Sequence, residues 1–213
     1  MKYQPELLKL LLCLEFIAAL VSLFYIPKCK RTYWIWFVFY LNFIFVFDYF
    51  SEQISNFLMI KKQFYFAYFI IPIQFLFFYW LYAVKSLRKK KLFWIFSITY
   101  LLSFIPIELY FSKLKVVYSF NLVIGTILLM FLIFLEFIKQ IKNDDILEFS
   151  KNKMFYINIG LVLFYVGTLP FFALYNLLIN ELQIWNAYYL YFMISNCVMY
   201  LLFSISFIWG RTK

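Results

Sequence analysis

Six polar side chains stand inside stretches that are otherwise almost wholly apolar. They are Glu15 in LLCLEFIAAL, Asn42 in WFVFYLNFIFVF, Asp48 six residues further on, Gln74 in FIIPIQFLFF, Glu108 in FIPIELYF and Asn196 in YFMISNCVMY. A carboxyl in such surroundings can hold a proton or a cation, and an amide can orient a solute or tie two helices together. A central acid costs about 2.5 to 3.5 kcal/mol to insert into a bilayer, against a gain of about 0.3 to 0.6 for each Leu, Ile, Phe or Val. Glu15 is therefore affordable but seldom idle, and it is the leading ligand-binding candidate of the six.

Much other chemistry is excluded. The chain has no His, which removes Ser/His/Asp and Cys/His catalysis, His-ligated zinc or haem, and His pH switching. Cys13, Cys29 and Cys197 have no metal-ligand spacing; Cys29 in PKCKR is either an acylation site or a plain juxtamembrane thiol. No Gly-rich phosphate loop or catalytic signature is present, so no metal, cofactor or catalytic residue is expected. A lipid-modifying enzyme using Glu15 and Asp48 remains a class without a supporting motif.

The elements that carry these residues follow from composition. The 213 residues are 66% hydrophobic, 26% aromatic and only 14% charged, whereas soluble domains have about 45 to 50% apolar and 25% charged residues. Lipid must be the outer solvent, which predicts an all-α polytopic membrane protein forming a single transmembrane helical-bundle domain over 1–213. Crossing about 30 Å of hydrocarbon takes about 20 apolar residues. Seven windows qualify: 7–26, 33–50, 64–84, 92–111, 116–137, 155–179 and 187–209. Lys9 and Glu15 interrupt the first, which favours a true span over a cleaved signal peptide.

Charge orients the spans. Lys28, Lys30 and Arg31, then Lys85, Arg88, Lys89, Lys90 and Lys91, then Lys139, Lys142, Lys151 and Lys153, and finally Arg211 and Lys213 fall on alternate connections. The intervening side holds Lys2, Lys9, Lys61, Lys62, Lys113 and Lys115, so the cations divide 14 to 6. Cations in short loops stay cytoplasmic. The N-terminus is thus expected outside and the C-terminus inside a cell membrane, as in a multi-pass protein of the bacterial inner membrane. The cluster from Lys85 to Lys91 reads as a topology anchor for lipid phosphates, with specific binding of an anionic lipid as the functional alternative; its loop is too short for a nucleic-acid domain. The connection 138–154 reads as a solvated hairpin, or as a docking surface for a partner.

On this map the polarity is expected in the outer half. Glu15, Asn42, Gln74 and Asn196 lie about 12 to 15 Å deep at 1.5 Å per residue, while Asp48 and Glu108 lie near span ends, where headgroup water is in reach. Pro72, Pro106 and Pro170 interrupt spans and are expected to kink them. With only four Gly, the helices should meet through aromatic surfaces rather than by general Gly-based packing.

The stretches YFIIPIQFLFFYWLY, YSFNLVIGTILLMFLIF, FYINIGLVLFYVGTLPFFALYNLL and SNCVMYLLFSISFIW resemble a group of short, uncharacterised seven-helix membrane proteins of Bacteroidota. The resemblance covers helices three to seven and rests on patterns of aromatics, Gly and Asn. It implies the company of a signalling protein, since such proteins stand beside sensor kinases in some gene neighbourhoods. Position 74 is often Glu in that pattern and is Gln here.

Two functions are expected. In the first, an outer-half cavity around Glu15 receives a small molecule or lipid, and the inner loops pass the change to a cytoplasmic or membrane signalling partner. In the second, Glu15 is the coupling-ion or proton site of a small transporter, which would also need polarity through the inner half.

Overall fold

The computed structural model describes residues 4–105, 117–143, 148–173 and 181–211, nearly all of them helical. In chain order the helices are α1 (Gln4–Phe24), the single turn α2 (Ile26–Cys29), α3 (Trp34–Tyr49), α4 (Ser51–Phe57), α5 (Lys62–Ser86), α6 (Lys90–Leu102), α7 (Val117–Lys142), α8 (Lys153–Ala173) and α9 (Leu182–Trp209). Helix closes every i to i−4 backbone bond within its own segment, which is what a chain this apolar requires.

Five helices, α1, α5, α7, α8 and α9, are long and apolar enough to cross a membrane. The α3–α4 pair, bent by 64°, makes a sixth if it is one span. Of window 92–111 the described residues contain α6, which has 13 residues, fewer than the about 20 a span needs; residues 106–111, with Pro106 and Glu108, lie outside them. Large apolar side chains cover the outside of the bundle, among them Leu10, Ile17, Trp94, Ile98, Phe134 and Leu201. Such a surface is far more apolar than a water-facing one tolerates.

α5 occupies the centre. Phe75, Phe78, Tyr79, Leu81, Tyr82 and Ala83 are fully buried, and their rings touch four other helices. Phe77 stacks on Tyr40 of α3 at 4.1 Å, Phe75 meets Tyr100 of α6 at 5.2 Å and Tyr165 of α8 at 5.3 Å, and Phe78 meets Phe203 of α9. α1 packs between α3 and α9, α9 against α8, and α8 against α7.

α5 is not uniformly α-helical. Phe66–Ile70 and Trp80–Ser86 are π-helical. The first wide turn precedes Pro72 and gives room for a ring that would otherwise clash with the carbonyl one turn back. α8 likewise continues through Pro170 to Ala173.

Glycine contributes more than its scarcity implies. A Cβ on Gly125 of α7 would stand 2.7 Å from the Phe75 ring, and Gly160 lies against the Met199 backbone of α9. Gly167 sits under the Tyr191 ring. Aromatic packing between these helices thus depends on a missing Cβ at the point of contact.

Candidate functional site

One polar cluster is built by α1, α3 and α9. Glu15 is central in α1 and only 2% exposed, and its carboxyl lies near Asp48 of α3 and Tyr200 of α9. Asp48 is half-buried, with its Oδ1 shut off from solvent, and the chain bends by 64° just after it, between α3 and α4. Two carboxyls brought near one another do not both stay ionised unless a positive charge pairs with them. The Lys62 ammonium, at the start of α5, acts on Asp48.

The other expected site residues have different fates. Gln74 lies near Tyr40, which is buried. Asn196 is one turn before Tyr200 on α9; its Oδ1 is buried with no hydrogen-bond partner. Asn42 points elsewhere, donating to Ser22 Oγ of α1 at 3.1 Å and to the Val38 carbonyl at 2.8 Å. It joins α1 to α3. Glu108 lies outside the described residues.

An open groove of about 700 Å³ lies between α4 and α5, lined by Glu52, Ser55, Asn56, Met59, Ile60, Lys61 and Lys62. Met59 turns the chain there with φ 55°. The same Lys62 therefore lines the groove and acts on Asp48.

A second polar cluster lies between α5 and α7. Glu136 of α7 is 1% exposed. It accepts from Ser86 Oγ of α5 at 2.5 Å and from Gln140 Nε2 at 3.2 Å, and the Lys139 ammonium stands 3.5 Å away. Lys139 also donates to the Ser86 carbonyl and hydroxyl, at 3.1 and 2.8 Å. One turn back along α5, Tyr82 donates to Oδ1 of Asn158 at 2.5 Å, both fully buried. Window 116–137 hides this cluster because Glu136 falls at its edge and Lys139 and Lys142 read as loop charge. The signal that reveals it is the i, i+3, i+4 spacing of Glu136, Lys139 and Gln140, which puts all three on one face.

At the same end, Lys153 is 3% exposed. Its ammonium sits over the rings of Phe207 at 4.9 Å and Trp34 at 5.5 Å, and 3.7 Å from the Cys29 sulfur. Cys29 is fully buried, so it is a packed thiol and not an acylation site. With Gln140 and Lys153 inside and Arg211 N–H bonded to the Lys151 carbonyl, the connection 138–154 is partly built into the bundle. In the basic turn, Arg88, Lys89, Lys90 and Lys91 are exposed, while Lys85 lies over the Trp80 ring at 5.1 Å.

Among the described residues no group of three or more His, Cys, Asp or Glu side chains is placed to hold a metal ion. No protein family, curated protein or solved structure matches the chain.

Proposed function

We propose that the chain is a seven-span membrane protein, N-terminus outside and C-terminus in the cytoplasm, that receives a small molecule or lipid at its outer face and acts through a signalling partner. One observation carries the reading: Lys62 lines the outer groove and also acts on Asp48, whose carboxyl meets Glu15 in the interior. A solute that draws the Lys62 charge toward the groove changes the balance at a junction of α1, α3 and α9. Those helices end at the inner face, where Lys153 and Arg211 tie the tail to the preceding turn. The groove's mixture of Lys61, Lys62 and Glu52 suits a zwitterionic or anionic headgroup or solute.

A second reading, a small transporter, is favoured by the inner cluster of Ser86, Glu136, Lys139 and Gln140 with Tyr82 and Asn158. It supplies the inner-half polarity that a pathway needs. Uptake in proteoliposomes separates the two. Flux in wild type that Glu15→Gln abolishes supports transport; no flux in either, together with a partner captured by crosslinking from residues 139–153, supports signalling. Absence of both flux and partner overturns both readings.

A further inference from the structure

We infer that α4 divides a binding site for a single-chain anionic amphiphile of the fatty-acid class, with the head over Lys61 and Lys62 and the chain along the bend between α3 and α4. The inference deepens the groove reading above and rests on it. Two open grooves flank this short helix. The polar one carries two lysines against the single acid Glu52. The other, of about 420 Å³, is lined by Val46, Phe50, Ile54, Phe57 and Leu58, and Gln53 is the one polar side chain among its described residues. The two meet at the end of α4, where Leu58 lines the apolar groove and the next residue, Met59, lines the polar one.

Each groove alone would suit many molecules, but together they select one class. An excess of cations favours an anionic head, and an uncharged apolar groove favours hydrocarbon. A head joined to one chain satisfies both at once. A free anion would leave the apolar groove open, and an uncharged lipid would leave the lysine charge unmatched. At the junction Phe57 and Met59 are 86% and 94% exposed. Neither is packed on its own chain, so both are free to fold over a hydrocarbon lying there.

The full chain in nanodiscs of phosphatidylcholine is photolabelled with palmitate bearing a diazirine in its chain, and labelled residues are located by mass spectrometry. Saturable labelling within residues 46–58, displaced by unlabelled palmitate and not by hexadecanol, is the expected result. Lys61→Gln should weaken palmitate binding about fivefold, the worth of one surface lysine toward an anionic head. Phe57→Gln should weaken it about tenfold through lost apolar contact. Both side chains are exposed, so neither change threatens the fold. Equal displacement by hexadecanol overturns the anionic head. Label that spreads over outward positions such as Leu10 and Phe134 without saturating is bilayer contact only and overturns the site. A Phe57→Cys crosslink between two copies, with no saturable label, assigns the apolar groove to a second copy and overturns it as well. Displacement by glycerol phosphate as strong as by palmitate removes the chain, overturning this inference while leaving the groove reading. No saturable label together with no binding of glycerol phosphate overturns both.

Discussion

Ser86 of α5 donates its hydroxyl to Glu136 of α7 at 2.5 Å, while Lys139, one turn after Glu136, takes the Ser86 carbonyl. The last carbonyls of a helix have no intrahelical partner, and here α7 supplies a donor to one of them. The bond therefore holds the C-terminal end of α5 against α7.

Removing the acid should be costly. Glu136→Ala leaves Ser86, Gln140 and Lys139 without their common partner, and unfolding in mixed detergent should show a loss of about 3 to 5 kcal/mol. Ser86→Ala, which removes the hydroxyl that donates to Glu136 and accepts from Lys139 and so leaves a buried carboxyl oxygen without a donor, should cost about 1 to 3 kcal/mol. The double variant should fall short of the sum, since the two side chains are in contact.

Gly125→Ala drives a Cβ to within 2.7 Å of the Phe75 ring. Overpacking of this kind costs about 1 to 3 kcal/mol. Combination with Phe75→Leu should recover part of the loss, and thermal unfolding of the three proteins checks both signs.

Asn42 joins α1 to α3 and stands apart from Glu15 in its bonding. Asn42→Leu should cost little, on the scale of the roughly 0.6 kcal/mol average for interhelical polar contacts in a membrane. Unfolding of wild type and variant in mixed detergent measures the difference, and a loss of several kcal/mol would show that Asn42 does more than join two helices.

Topology is checked with single cysteines in a background where Cys13, Cys29 and Cys197 are Ala. Asn56→Cys in the outer groove should react with an impermeant maleimide in intact cells, and Ser150→Cys only after permeabilisation. The reverse pattern would invert the orientation. In the native chain Cys29, fully buried, should react only on unfolding.

Much of this was legible because hydropathy reports length and burial reports cost. The windows 7–26, 64–84 and 116–137 fall within α1, α5 and α7 apart from their terminal residues, and Glu15 stands out as a carboxyl in an apolar run. What sequence could not show is where rods bend. The chain turns by 64° after Tyr49 and Asp48 Oδ1 is buried, and counting along a straight span gives neither. Glu136 escapes notice for a related reason: an acid followed by two lysines looks like the start of a loop, although α7 continues to Lys142. The wide turns of α5 have no hydropathy signature at all.

The wide turn at Trp80–Ser86 holds one residue more than an α turn would. Carried in an ordinary α-helix, an added residue would rotate all that follows by about 100°, whereas a π turn takes it up locally. Deleting a single residue there should therefore let α5 run on as ordinary α-helix while the chain leading to the cations from Arg88 to Lys91 keeps nearly the same azimuth. The direction in which this cationic belt leaves the bundle is thus buffered against a change of chain length within one turn.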